Sequence, residues 1–146
     1  MYLFNKIMVA ILISTFFHTD STFASKIDSL AKKLGTTEED TSRINILNLL
    51  SSELQTSNPD SALQLARIAF HESEKNNYEI GKADAYSNMG MYFYRKARFD
   101  SALEYHLKSY GIRKEKGVNK DIIITLNNLG NIYYHKGDFV KALDYY

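Results

Sequence analysis

Two sets of side chains with the same spacing are the first residues in this sequence able to do chemistry. Asn88, Met91 and Arg95 stand at i, i+3 and i+7, and Asn128, Asn131 and His135 repeat that spacing forty positions later. In a helix each set falls on one face. An asparagine side chain carries both donors and an acceptor. A row of them can pair with a peptide backbone whatever its side chains, or bond to neighbouring helices or water. Arg95 adds a guanidinium able to hold a carboxylate through two parallel bonds.

The other candidates carry less. His71 and Glu74 have the i, i+3 spacing of two metal ligands and Glu72 lies between them, but no second pair of suitable ligands accompanies them. They read as a solvated helix face, and no metal site is assigned. Lys108, Arg113, Lys114, Lys116 and Lys120 form the densest basic run, diluted by Glu115 and Asp121. Cations are favoured near a helix C-terminus, so this run reads as a solvated helix end rather than a nucleic-acid footprint. His106 reads as a packed core histidine. Gly81-Lys82 and Gly111-Ile112-Arg113-Lys114 lack the glycine spacing of a phosphate loop, and neither His-Glu-x-x-His nor Gly-x-Ser-x-Gly occurs. The expectation is a non-enzyme that uses no cofactor.

Composition agrees with a folded, uncharged-on-balance chain. Its 146 residues suit one domain, and 18 basic against 17 acidic residues leave a formal charge of +1. That balance gives no whole-chain attraction to nucleic acid or anionic lipid. Cysteine is absent, which excludes disulfides, thiolate chemistry and cysteine-based zinc sites. Pro59 is the one proline, so long helices meet few interruptions.

The elements that must position the asparagine sets come from a repeat. Asn88-Met89-Gly90-Met91-Tyr92-Phe93-Tyr94 returns as Asn128-Leu129-Gly130-Asn131-Ile132-Tyr133-Tyr134. Phe99-Asp100-Ser101-Ala102-Leu103-Glu104-Tyr105 returns as Phe139-Val140-Lys141-Ala142-Leu143-Asp144-Tyr145. A fainter copy lies forty positions earlier, at Asn48-Leu49-Leu50 and Ser61-Ala62-Leu63. A fixed period of this size marks a stacked repeat architecture. Apolar spacing and breakers predict helices over 25–34, 40–55, 59–76, 79–96, 99–116 and 120–136, with a last one from Phe139. Asn58-Pro59 is a cap followed by proline at the first helical position. Gly35, Asn76-Asn77 and Gly117 are expected to end helices in the left-handed conformation. Thr36-Thr37 offers a cap for the helix after Gly35, and Gly137-Asp138 supplies a turn and a cap. No segment reads as a strand, so the chain is all-α.

The order of residue types within each period resembles the tetratricopeptide repeat. Leu129, Gly130, Tyr133, Ala142 and Tyr146 carry the pattern in one copy, and Met89, Gly90, Phe93 and Ala102 in another, with His106 at a usually aromatic position. The period is longer than the standard 34 residues and resembles the extended variant of kinesin light chains and of exported bacterial sensor regions. The first copy departs from the pattern, with Leu50 for the glycine, Glu53 for the aromatic and Pro59 for the phenylalanine. The resemblance implies a right-handed α-solenoid of antiparallel helix pairs. It divides the chain into a capping helix at 25–39 and an array at 40–146, made of a degenerate repeat at 40–78, one at 79–118 and an incomplete one at 119–146. Glycine costs about 1 kcal/mol inside a helix, so Gly90 and Gly130 need a packing reason. The expectation sets Gly90 against Ala102 and Gly130 against Ala142, with Phe93, Phe99, Tyr133 and Phe139 filling the turn ends. Gly130→Leu should then cost about 1–3 kcal/mol.

In the resembled family the first helix of each pair lines a concave groove that holds an extended peptide or a partner helix. The positions this implies here are Asn48; Asn88, Met91, Tyr94 and Arg95; and Asn127, Asn128, Asn131, Tyr134 and His135. The partner would be a protein or peptide, with no nucleic acid bound by this segment.

Residues 1–24 are expected to stand apart from the fold. Lys6, an apolar run from Ile7 to Phe17, a polar stretch and then Thr22-Phe23-Ala24 resemble a secretory signal peptide cleaved after Ala24. The run is shorter than the ~20 residues a bilayer-spanning helix needs; an uncleaved short anchor is the alternative. The last helix begins near Phe139 and the sequence closes on Leu143, Tyr145 and Tyr146 rather than a polar cap, which reads as a fragment of a longer protein. Two functions follow: an exported bacterial, periplasmic or extracellular peptide-binding scaffold, or the sensory ectodomain of a membrane-anchored signalling protein whose kinase or DNA-binding output lies beyond residue 146.

Overall fold

The computed structural model describes residues 21–146, with side chains from Ser25 onward except Asn119 and Lys120. Apart from the backbone of 21–24, the segment read as a signal peptide lies outside the described residues. Seven helices follow one another here: α1 (Ser21–Thr36), α2 (Asp40–Leu54), α3 (Pro59–Lys75), α4 (Glu79–Arg95), α5 (Phe99–Lys116), α6 (Asn119–His135) and α7 (Phe139–Tyr145). Among the described residues there is no strand. From α2 onward each helix begins and ends within a residue of the apolar spacing that predicts it. Each packs chiefly against the next in sequence, as an array of helix pairs requires.

The joints have a common construction. Asn77 (φ 52°), Ala97 (φ 55°), Gly117 (φ 69°) and Gly137 (φ 79°) all take the left-handed conformation, twenty residues apart. After each, the next N–H donates back across the joint: Tyr78 to Ser73, Arg98 to Phe93, Val118 to Arg113 and Asp138 to Tyr133, at 2.8–3.1 Å. This closes the helix end and turns the chain into the next helix. Ala97 does without glycine or asparagine what its three counterparts do with them, so nothing in its type announced the joint. Asn58 and Asp138 cap α3 and α7 by accepting from the Ser61 and Lys141 amides.

α1 departs from expectation. It is already helical at Ser21, the first described residue, and continues to Thr36, and Gly35 is not among the left-handed glycines. Instead the Thr36 and Thr37 hydroxyls donate to the Lys33 carbonyl at 3.1 and 2.7 Å. Those threonines therefore close α1 rather than cap α2. Glu39 occupies the cap position of α2, its carboxylate accepting from the Thr41 and Ser42 hydroxyls. α1 buries Ile27 and Leu34 against the array, and Lys26 pairs with Glu53. At the aromatic position of the pattern, Glu53 therefore meets a lysine of α1.

The core runs from large aliphatics to rings. Ile44, Leu47, Leu50 and Leu54 of α2 are sealed with Leu65 and the alanines of α3. Further along, Phe93 stacks on Tyr105 at 5.3 Å, and forty residues on Tyr133 stacks on Tyr145 at 5.4 Å. Phe99 reaches out of its own pair to stack on His135, while Phe139 lies against Tyr134 and is 59% exposed.

The repeat glycines do not face alanine. A Cβ built on Gly90 would stand 2.8 Å from Cδ2 and Nε2 of His106, and one on Gly130 would stand 2.8 Å from the Tyr146 ring. The residue one turn beyond the alanine fills the space, because its long side chain leans back along the helix. In the first pair the sizes are exchanged: Leu50 stands at the glycine position and Ala66 at the ring position, both fully buried. The volume is kept while its owner changes helix. The departure at Leu50 is therefore compensated, not lost. Gly81, which carried no role in the sequence, is tighter still: a Cβ there would meet Tyr78, Ile44 and Ser73 within 2.8 Å.

Candidate partner-binding groove

The first helices of successive pairs, α2, α4 and α6, are joined side by side through their polar residues. Asn48 of α2 is buried and donates to the Gly81 carbonyl at 2.9 Å. Asn88 of α4 donates to the Asn48 carbonyl at 2.9 Å, and Gln55 returns a bond to the Asn88 carbonyl at 3.0 Å. The donors of these two asparagines are thus used within the fold, while the Asn88 side-chain oxygen stays open. Arg95 is exposed and its guanidinium donates to the Thr56 hydroxyl at 2.9 Å. Two hollows open along this face.

The larger hollow, about 410 Å³, lies between α2 and α4. Asn45, Asn48, Leu49 and Ser52 line one wall and Asp84, Ser87 and Asn88 the other, with Arg113 of α5 reaching in. Leu49 is 42% exposed and supplies the apolar part. Arg113 corrects the sequence expectation of a solvated helix end. It is 5% exposed and donates to the Ser109 and Thr125 hydroxyls and, at 2.6 Å, to the Asp84 carboxylate. Such a cation is held by charge-assisted bonds rather than by solvent. Burial pushes the Asp84 carboxyl above the usual carboxylate range, against the Arg113 bonds that pull it down. One Asp84 oxygen is engaged by Arg113.

The smaller hollow, about 40 Å³, lies between α4 and α6. Met91 and Tyr94 come from α4, Asn128 and Asn131 from α6, and His106 rises from α5 beneath them. Four residues expected at the groove therefore meet at one spot. The Asn131 oxygen accepts the Tyr146 hydroxyl at 2.6 Å, which leaves its amide hydrogens free. Farther along the same edge the rings of Tyr94, Phe99, His135, Tyr134 and Phe139 touch in sequence at 5.5–6.0 Å. Asn127 is exposed on α6, away from both hollows' linings.

Sequence reasoning missed the contributors from the second helix. His106, Ser109 and Arg113 stand at i, i+3 and i+7 on α5, and all three are buried. This is the spacing that picks out the asparagine sets, so the stripe was present to be found. The basic neighbours of Arg113 disguised it. Asp84 and Ser87 were likewise passed over, although they precede Asn88 on the same face. His71 is exposed, and Glu72 accepts from Arg43 Nε at 3.0 and 3.2 Å, an ion pair across α2 and α3.

The comparisons agree with this architecture. The family model for the tetratricopeptide repeat matches residues 81–146. The crystal structure of the TPR domain of Arabidopsis FLU superposes with a TM-score of 0.66 at 17% identity, covering 74% of this chain and 92% of that domain. No curated protein matches significantly. The paired helices of residues 81–146, with their buried glycines and stacked rings, belong to the tetratricopeptide repeat family.

Proposed function

We propose that this chain is a non-catalytic scaffold that binds a protein or peptide segment along the face of α2, α4 and α6. The fold is that of a protein-interaction scaffold, and tetratricopeptide repeats are typically non-catalytic. The observation that carries the proposal is the pair of hollows on one face, lined by amides and hydroxyls whose hydrogen-bonding capacity the fold uses only in part. A concave surface with a few convergent polar groups is where a ligand gains most from leaving water. The groups are mostly neutral, which suits an extended chain held through its amides. Tyr134 and His135 continue the face as an aromatic edge, and Arg95 as a cationic one.

Panning a phage-displayed random dodecapeptide library against the full chain tests this. Binders should be lost on Ser87→Arg and on Asn127→Arg, which place bulk on the face without removing an internal hydrogen bond. They should survive Gln64→Arg, on the exposed side of α3. Binders lost only on Gln64→Arg, or no binders at all, would overturn the proposal.

The scaffold works outside the cytoplasm in this reading. Residues 1–24 have the three-part pattern of a signal peptide, and among the described side chains of α1 the buried ones are Ile27 and Leu34. Cleavage after Ala24 would leave both in place. Sequencing of the mature N-terminus should return Ser25; an intact Met1 on the folded protein would contradict export by cleavage.

A further inference from the structure

We propose that His106, a second-helix residue, forms the floor of the groove, and that the hollow above it takes the carboxamide side chain of a partner asparagine or glutamine. The inference rests on the groove reading above and adds what one part of that groove selects.

Three observations converge. First, Gly90 acts as a window: with no Cβ there, the Cδ2–Nε2 edge of His106 comes within 2.8 Å of where one would stand. A side chain from α5 can thereby join residues of α4 and α6 around one hollow. Secondly, His106 is 1% exposed and its Nδ1 is sealed in the interior with no hydrogen-bond partner. A ring nitrogen left unpartnered inside a protein is costly, and a sealed N–H is rarer than a sealed lone pair. The proton therefore belongs on Nε2, the nitrogen that the hollow can reach. Burial, with the nearby Arg113 charge, lowers the pKa to about 4, so the ring is neutral at physiological pH. Thirdly, the rest of the lining matches an amide. Asn131 keeps its N–H donors because its oxygen is held by Tyr146. Asn128 offers both a donor and an acceptor.

A carbonyl oxygen can thus meet His106 Nε2–H and Asn131, while the N–H of the same group meets the Asn128 oxygen. Met91 and Tyr94 supply apolar walls for the adjoining methylene. No side chain lining the hollow carries a positive charge at neutral pH, so a carboxylate would leave water without compensation. The volume of about 40 Å³ has room for roughly three water-sized groups. That suits the three heavy atoms of a terminal carboxamide, whereas a peptide bond is flanked by chain on both sides.

Dodecapeptides selected on the wild-type chain, and lost on Ser87→Arg, provide the probe. They should share an asparagine or glutamine at one position, and changing it to leucine or to the matching acid should weaken binding at least tenfold. His106→Phe, which keeps a ring over Gly90 but removes the N–H, should weaken the carboxamide peptide tenfold and bring it level with its leucine counterpart. Asn131→Ala, at an exposed position, gives a second reading should the phenylalanine variant fold poorly, with an expected loss of at least threefold. In the free protein, long-range nitrogen–proton correlation should show the His106 ring protonated on Nε2. Groove-dependent peptides indifferent to His106→Phe, Asn131→Ala and the leucine change would overturn this inference and leave the groove standing. An Nδ1–H ring would also overturn it. Absence of any groove-dependent peptide would overturn both.

Discussion

Replacing Gly90 by leucine asks whether the helix pairs are interchangeable solutions to one packing problem. The first carbon added at residue 90 would stand 2.8 Å from two His106 ring atoms and 3.1 Å from a third. That ring is 1% exposed, so it cannot swing out into solvent. Overpacking of this kind costs about 1–3 kcal/mol, and three close ring atoms place Gly90→Leu near the top of that range. His106→Ala removes a buried ring, worth roughly 3 kcal/mol. It also removes the orphaned Nδ1, whose burial without a partner costs about 1 kcal/mol or more, leaving a net loss near 2. Independent effects would sum to about 5 kcal/mol. The first repeat already carries the double change, Leu50 with Ala66, and both residues are sealed. The double variant should therefore recover most of the loss, with a coupling of about 3 kcal/mol between the two sites. Urea unfolding of wild type, both single variants and the double variant, followed by circular dichroism, measures it. Additivity within about 0.5 kcal/mol would refute the exchanged-volume account.

Other expectations follow from single features. Gly130→Ala should be near neutral, and Gly130→Leu far milder than its sequence pattern suggests, because the opposing ring of Tyr146 is 61% exposed and can swing aside; thermal melts of the two variants beside Gly90→Ala would show the difference. Gly111→Ala should stabilise by up to about 1 kcal/mol, since that glycine lies inside α5 with open space around it, whereas Gly117→Ala should cost about 1 kcal/mol through its left-handed backbone. The folded chain holds His106 neutral down to about pH 4, while an unfolded histidine takes its proton near 6.5. That stability is present above pH 6.5 and is lost as pH falls through this window, by roughly 3 kcal/mol in all. His106→Phe should flatten that part of a stability–pH curve. Asp84→Ala strands the buried Arg113 charge and should cost about 2 kcal/mol, discounted from the fully buried case because Asp84 keeps 33% of its side-chain surface. Glu104→Ala, which breaks an exposed pair with Lys108, should cost under about 0.5 kcal/mol.

Helix positions were legible because the apolar spacing and the caps at Asn58 and Asp138 are local signals. The left-handed joints at Asn77 and Gly117 and the turn at Gly137 were legible for the same reason, though Gly35 did not take that conformation; Ala97 was not legible, since nothing in its type marks a joint. The partner of a buried glycine is a tertiary fact. Gly90 and Gly130 announced a close approach, but only the fold shows that the ring one turn beyond the alanine fills it. The shared face of Asn88, Met91 and Arg95, and of Asn128, Asn131 and His135, was legible from spacing, whereas Arg113 looked like one more surface cation. Its burial depends on Asp84 and Thr125, 29 and 12 residues away. Residues that reach a site from the far helix of a pair are the hardest to read from sequence, because their own helix gives no sign of which neighbour they pass.

The central claim is that one face, built from α2, α4 and α6, engages a partner chain. Side-chain amide resonances of Asn45, Asn88, Asn127, Asn128 and Asn131 report on that face directly. Addition of a selected dodecapeptide to isotopically labelled protein should shift these resonances together, leaving Gln64 of α3 and Asn76 at its C-terminal end unmoved. Shifts confined to Gln64 and Asn76, with the five face asparagines unchanged, would contradict the account.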